Sequence, residues 1–396
     1  MNEATKNYVR QHADDDVRML ALRGSKDADV DMTLALQQIQ GRQTARTKLP
    51  SWAIVEGIVF PPHLNMEQCS SEQTARYKAA ICRRLLLDHT GATSLVDLTG
   101  GFGVDFAWMS EAFVKATYVE RNSELFAISS NNFRVLNKQV ETHNADGIDF
   151  LHQLENATMI FLDPARRDDK GARTYGIADC TPNVLEMKDE LLQKADFVML
   201  KLSPMLDWRK TVTDLGEANV KEVHIVSVQN ECKELLIVMQ KENRQQLVVH
   251  CVNDGADFVV SAEEVVSSSF SVPQVSQFLY EPNASVMKAG CFNALSTAFS
   301  VQQLAQNSHL FVSDQLVADF PGRCFQITAV SSMNKQELKK LFHDVRQANI
   351  TVRNFPLSVA ELRKKLKLGD GGETYVFATT FADGQRVLIV CKKVGR

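Results

Sequence analysis

The chain has 396 residues, 44% of them hydrophobic and 23% charged, with a net charge of −4 and eight cysteines. At roughly 100–200 residues per domain, that length holds two or three domains with ample core. The balance excludes a disordered chain, a collagen-like repeat and a disulfide-stapled mini-protein, and no apolar run of about 18 residues reads as a membrane span.

The start, Met1 to Lys6, has no apolar run after a basic segment, so no secretory leader is expected. Cys69, Cys82, Cys180, Cys232, Cys251, Cys291, Cys324 and Cys391 form no C-x-x-C pair, and no His/Cys cluster has zinc-ligand spacing. They read as free thiols in a reducing cytoplasm, with no metal expected. Charge is uneven: from residue 271 onward there are 15 Lys and Arg against 9 Asp and Glu, so a +6 tail follows a −10 body. A basic tail suits a phosphate-rich partner, and an ordinary solvated surface is the competing explanation.

Residues 1–70 read as a helical N-terminal domain. Met32, Ala35, Leu36 and Ile39 follow a buried helix stripe, with Asp29 or Asp31 as cap, and Pro50 and Pro61-Pro62 punctuate the exit. A helix is expected over Ser71 to Asp88. Four short apolar runs then begin, at Ser94–Leu98, Ala116–Glu120, Ala157–Asp163 and Asp196–Lys201, with helical patterns such as Asn122 to Asn137 between some of them. This alternation predicts βαβ units and a buried parallel sheet, placing an α/β Rossmann-like domain over 71–245. Glu222 to Val228 and Leu235 to Gln240 read as two strands joined by a short turn. A β or irregular connecting segment covers 246–319, with strands at Leu247–Val252 and Phe258–Ser261 and a loop at Ser267–Ser269. A small α/β domain covers 320–396, with a strand at Phe325–Val330 and helices at Asn334–Gln347 and Ser358–Leu368. A hairpin, Tyr375–Thr380 with Arg386–Val390, closes it.

The strongest local signal is Val96-Asp97-Leu98-Thr99-Gly100-Gly101-Phe102-Gly103-Val104-Asp105, which follows a strand and opens a helix. Glycines let backbone approach a ligand, and the helix start supplies unpaired N–H donors. A dinucleotide fingerprint needs a third glycine, where this chain has Phe106, which weighs against a nicotinamide oxidoreductase. Asp97 at the strand end would repel a pyrophosphate and attract an ammonium. Glu120 ends the next strand, where it is placed to accept ribose hydroxyls. Asp146 follows the segment Val140 to Asn144, where it is placed to accept from an adenine amino group.

An acid four residues before Gly101, the glycine loop, acids after the second and third strands and Asp163-Pro164 after the fourth resemble the class I S-adenosylmethionine-dependent methyltransferases over roughly 71–240. The resemblance implies that Asp97, Thr99, Gly100, Gly101 and Gly103 hold the methionine end of S-adenosylmethionine. It further implies Glu120 and Arg121 at the ribose, Asp146 and Gly147 at the adenine, and Asp163 and Pro164 beside them. Thr74 and Lys78, four apart on one helix face, would reach the cofactor carboxylate, with a solvated face as the other reading. Asp163 would orient the nucleophile or take its proton, Arg166 and Arg167 would clamp a phosphate or carboxylate, and Lys201 and Ser203 would meet substrate. Arg166 and Lys201 join Asp163 as catalytic candidates. The loop lacks the Asn-Pro-Pro-Tyr of many base-amino methyltransferases, and no cysteine follows the fifth strand, which leaves Cys180 as the nearest thiol and more consistent with an inert one.

The tail, through Arg353-Asn354-Phe355-Pro356 and Glu361-Leu362-Arg363-Lys364-Lys365-Leu366-Lys367, resembles the THUMP-like domain of some bacterial methyltransferases, which implies an RNA substrate. Arg363, Lys364 and Lys365 would neutralise phosphates and Phe355 would stack on a base, with a buried Phe355 as the alternative. The resulting expectation is a cytoplasmic methyltransferase acting on tRNA or rRNA without a covalent intermediate, and with no membrane. A small-molecule or protein methyltransferase, or an RNA-binding protein with a relic fold, are the competitors.

Overall fold

The computed structural model describes residues 1–166, 176–241, 246–263 and 276–394; Arg167 and Ser267–Ser269 lie outside the described residues. Where the sequence reading draws four segments, backbone contacts group the chain into two compact units. One comprises Met1–Lys221 and Leu236–Arg244, the other Glu222–Leu235 and Gln245–Arg396.

The first unit opens with α1 (Glu3–Gln11), α2 (Val17–Arg23), α3 (Met32–Lys48), α4 (Pro50–Ala53), α5 (His63–Gln68) and α6 (Glu72–Leu85). Asp31 caps α3 by accepting the Leu34 N–H at 3.0 Å, and Ser71 caps α6 by accepting that of Thr74 at 3.2 Å. The predicted α3 stripe closes a small core: Ala35 and Ile39 are buried against Val9 and Leu20, with Leu36 beside them. Asn132 accepts from Val59 N–H and donates to Val59 O, pinning the exit of this helical layer to a helix of the sheet region.

The chain then runs through β1 (Ser94–Asp97), α7 (Val104–Met109), β2 (Lys115–Val119), α8 (Ser123–Val135), β3 (Glu141–His143), α9 (Gly147–Gln153), β4 (Ala157–Leu162), the separate antiparallel pair β5 (Ala165–Arg166) and β6 (Cys180–Thr181), α10 (Val184–Lys194), β7 (Ala195–Leu202) and α11 (Trp208–Leu215), and the remaining strands form a sheet. The order is β7-β4-β1-β2-β3, and every pairing is parallel. All six residues of β4 are buried, as expected of a strand covered on both faces. Chain order reverses between β1 and β4. In such sheets that point opens a crevice beyond the carboxyl ends of the strands, where ligands bind. Here those ends are Asp97 and the turn carrying Asp163.

The second unit takes in most of the hairpin β8 (Val220–Val228) and β9 (Glu231–Met239). Its turn residues Gln229 and Asn230 both have positive φ, 52° and 60°, as a two-residue hairpin turn requires. In this unit β10 (Val248–Asn253) pairs parallel to β8 and antiparallel to β11 (Ala256–Ser261). The chain continues through β12 (Phe278–Pro282), α12 (Ala284–Ala289), α13 (Phe292–Phe299), β13 (Gln302–Gln303), β14 (Phe311–Ser313), β15 (Gly322–Ser332), α14 (Lys335–Leu341), β16 (Asn349–Val352), α15 (Val359–Leu366), β17 (Thr374–Thr380) and β18 (Arg386–Val394). These strands form a second sheet in the order β13-β14-β12-β15-β18-β17-β16. Phe325, Phe377, Ile389 and Cys391 pack on one face. On the other face Leu338 and Phe342, at α14, and Leu362 of α15 cover Val376, Ala378, Leu388 and Val390. Both helices therefore lie on the same side of the sheet.

The helix expected over Asn334–Gln347 ends at Leu341. Beyond it the Ala348 N–H bonds to the Gly369 carbonyl at 3.0 Å, and the Gly369 N–H to the Arg346 carbonyl at 2.8 Å, in place of further helical turns.

Candidate active site

At the end of β1, Asp97 is 2% exposed and its Oδ1 accepts the Thr99 N–H at 2.9 Å. Burial pushes its carboxyl well above the usual carboxylate range. The Thr99 hydrogen bond opposes this, and the nearby carboxyls of Asp105, Asp163 and Glu120 add to it.

The glycine loop is fastened from beneath by β2 and α8. A Cβ on Gly100 would lie 2.1 Å from the Tyr118 ring, so glycine is required there. Tyr118 Oη and Ser129 Oγ donate to the Gly101 carbonyl at 2.5 and 3.0 Å. Glu120 accepts the Gly101 N–H through Oε2 and the Asn122 N–H through Oε1, both at 2.7 Å. Above the loop the space is open: a Cβ on Gly101 would meet nothing nearer than Thr99 O at 3.8 Å. An open backbone cradle beside a buried carboxyl suits a ligand that brings an ammonium group, as the methionyl end of S-adenosylmethionine does.

Asp146 caps α9, with Oδ1 accepting the Ile148 N–H at 2.8 Å. Behind it Gly147 abuts the strand-one turn, where an added Cβ would fall 2.1 Å from the Leu98 carbonyl oxygen. Backbone against backbone has little room to relax. Gly147→Ala is therefore expected to cost about 1–3 kcal/mol in a urea-unfolding measurement, the usual range for overpacking.

The Thr99 Oγ1 accepts the Asp163 N–H at 2.6 Å, tying the glycine loop to the end of β4. From β7, Lys201 Nζ reaches Asp163 Oδ2 at 2.5 Å and Asp105 Oδ2 at 3.4 Å. Asp105, in the first turn of α7, also accepts from Ser70 Oγ at 2.7 Å and lies 3.1 Å from Lys78 Nζ. Burial alone would raise the Asp105 carboxyl, but Lys78, Lys201 and Ser70 overcome that and hold it below its ordinary value. The result is a chain of alternating charge, Lys78–Asp105–Lys201–Asp163, running from the interior to the half-exposed rim.

The fold thus brings Asp97, Thr99, Gly100, Gly101, Gly103, Glu120, Asp146, Gly147, Asp163 and Lys201 to the carboxyl edge of one sheet. Other expected site residues are placed differently. Lys78 is wholly buried against Asp105, and Thr74 is buried with its hydroxyl donating to Ser71 O at 3.2 Å in the first turn of α6. Arg121 is exposed and Pro164 buried. Arg166 has its backbone on β5, opposite Cys180, which is buried. Ser203 Oγ accepts the Met205 N–H at 3.2 Å in the turn after β7. In the second unit Phe355 is half-buried against the core that contains Leu362 of α15, which favours the buried alternative. Arg363 is held by the carbonyls of Ala348 and Gly369 and by Asp370, leaving Lys364 and Lys365 exposed. The sequence alone points to no role for Asp105 or Ser70. An acid in a first helical turn reads as a generic helix-start residue, and nothing local shows that two lysines converge on it.

Two family models match the second unit, one described as THUMP domain-like over residues 322–393 and one as a ferredoxin-like domain over 278–321. No curated protein matches. Among solved structures, a "putative methyltransferase from Porphyromonas gingivalis W83" is 32% identical, covers 99% of this chain and 98% of its own, and superposes with a TM-score of 0.86. A "SAM Dependent Methyltransferase from Agrobacterium tumefaciens" is 15% identical over 43% of this chain and 62% of its own, with a TM-score of 0.32. A Listeria monocytogenes protein described as a "putative class I S-adenosylmethionine-dependent methyltransferase" is 11% identical over 62% of this chain and 90% of its own, with a TM-score of 0.39. The full-length match and the residues at the sheet edge agree: the chain belongs to the class I S-adenosylmethionine-dependent methyltransferases that carry a C-terminal THUMP-like domain.

Proposed function

We propose that this methyltransferase acts on RNA, by direct transfer to a nucleophilic atom of the substrate and without a covalent bond to the enzyme. When bound, S-adenosylmethionine supplies an already activated methyl group, so the protein's task is mainly positioning. In this reading Asp97 receives the methionyl ammonium, and the open space over the Gly101 backbone makes room for the methionyl chain. Glu120 receives the ribose hydroxyls and Asp146 the adenine edge. Asp163, held by Lys201, orients the attacking group and accepts its proton if it carries one. Lys78 and Thr74 support this arrangement from within.

The RNA assignment rests on α14 and α15. These neighbouring helices cover one side of the second sheet and turn Lys339, Lys340, Lys364 and Lys365 outward, all exposed. Two adjacent basic helices make a surface suited to a phosphate backbone.

The test incubates the purified chain with radiolabelled S-adenosylmethionine and total RNA from a host strain lacking it. Label released by ribonuclease supports the reading; label confined to protein or small molecules refutes it. Changing all four lysines to Glu should lower the slope of log binding constant against log salt by about 3–4, at roughly 0.7–0.9 per phosphate contact. Binding of S-adenosylmethionine alone should be unchanged.

A further inference from the structure

Sheet geometry in the second unit gathers a different set of chemical groups. Glu222 and His224 lie two residues apart on β8 and so project from the same face. His250 on β10 is the register partner of His224 in the parallel pair. Their side chains meet: the imidazoles stack with centroids 4.3 Å apart and planes 14° from parallel. His224 Nε2 lies 3.0 Å from Glu222 Oε2. One ligand atom from each of Glu222, His224 and His250 falls within 4.8 Å of the other two, and among the described residues no other His, Cys, Asp or Glu trio converges in this way. Glu222 and His224 are buried, and the His250 side chain is 12% exposed.

A fourth residue completes the pattern. Asp257 on β11 lies with Oδ2 2.8 Å from His250 Nδ1. A carboxylate there accepts a hydrogen bond from Nδ1–H, which assigns the tautomer and leaves Nε2 as the lone-pair nitrogen. A carboxylate behind a ligating histidine is the usual outer partner in zinc sites, where it fixes the ring and raises its basicity.

We propose that Glu222, His224 and His250 form a binding site for a divalent transition-metal ion, zinc by donor preference, with Asp257 as the outer partner that orients His250. Two imidazoles and a carboxylate are borderline donors that suit zinc better than magnesium or calcium. Three protein ligands leave one coordination position for water. To place one ion in both ring planes, the stacked rings splay by rotation about their Cβ–Cγ bonds, and Glu222 moves from His224 Nε2 to the ion. The ion then clamps β8 to β10 within the second unit. This site is independent of the RNA reading and takes no part in methyl transfer. Sequence spacing hides it, because 26 positions separate the two histidines, and they are adjacent only through strand register.

The test is a titration of the chelator-treated, full-length protein with Zn²⁺ by calorimetry, and with Co²⁺ by absorption. The expected result is one equivalent bound per chain, a higher melting temperature with zinc, and a cobalt spectrum without a thiolate charge-transfer band. His250→Gln should abolish stoichiometric uptake. Asp257→Ala, on the exposed side of β11, should weaken it about 10- to 100-fold. No uptake by the wild-type chain overturns the proposal and leaves a hydrogen-bonded histidine pair. Uptake that survives in His250→Gln overturns it equally, and a thiolate band overturns it and assigns the metal to cysteines.

Discussion

Asp97→Asn is expected to raise the stability of the free protein while weakening S-adenosylmethionine by about 10- to 100-fold, the range for losing a hydrogen bond to a charged group. Both effects come from one buried carboxyl, 2% exposed. Its pKa in the folded chain stands well above the usual carboxylate value, chiefly because burial disfavours the ionised form. The ionised form is therefore a burden on the folded state. That burden is fully present above the folded pKa and disappears as pH falls through it towards the unfolded value. Asn keeps the oxygen that accepts the Thr99 N–H and removes the charge, so its advantage in melting temperature should be largest at alkaline pH and vanish in acid. Binding shows the opposite dependence. An ammonium ligand needs the ionised carboxyl, so wild-type affinity should fall as pH drops below the folded pKa, and the variant's affinity should lack this dependence. Calorimetry and thermal melts across pH test both halves. An Asn variant that binds as tightly as wild type would remove Asp97 from the ammonium site.

Lys78→Met should produce the largest loss of stability, about 3–5 kcal/mol, the cost of removing one partner from a buried ion pair. Lys78 is wholly buried, and Asp105 is 8% exposed. Asp105 is held below its ordinary pKa, so its contribution is present above the unfolded value and is lost as pH falls through the folded one. Wild type and variant should therefore differ strongly in urea unfolding at neutral pH and converge in acid. Adding Asp105→Leu to Lys78→Met should recover much of the loss, since apolar replacement of a whole buried pair is often neutral. The double variant should still transfer methyl groups slowly, because Lys201 would retain Asp163 as its partner. A single variant as stable as wild type would show that Ser70 and Lys201 suffice for Asp105.

The parts of the site legible in sequence were those carried by consecutive residues at strand ends. Asp97 and its glycines, Glu120 and Asp163 each lie at the end of a short apolar run, Asp146 follows the short polar strand β3, and the parallel sheet brings such ends to one edge whatever the helices do. The Lys78–Asp105–Lys201 chain was not legible, because it depends on α6 packing against α7 and on β7 pairing beside β4. Lys78 on a helix before the first strand reads as reaching the cofactor carboxylate or lining a solvated face, and only tertiary packing shows that it is buried against Asp105. The segment 278–321 was hard for another reason. Its two-residue strand β13 and three-residue strand β14 are too short to show a period, and its helices have six and eight residues. The helix expected as far as Gln347 stops at Leu341, and the chain beyond it pairs with Gly369 instead of adding turns. Phe355 reads equally well as a stacking platform or a core residue, and the fold holds it half-buried against the core of the second sheet.

The chain passes into the second unit at Glu222, returns to the first at Leu236, and leaves it again after Arg244. During synthesis on the ribosome, β8 emerges before its parallel partner β10 has been translated. Part of the second unit must therefore wait, unpaired on that edge, for downstream sequence. For the same reason a fragment cut at 245 would retain β8 but lack β10, leaving an open edge prone to pairing with other chains. Separating the two units for study would call for rejoining the chain across 222–235, with that hairpin supplied to the other half, rather than a single break.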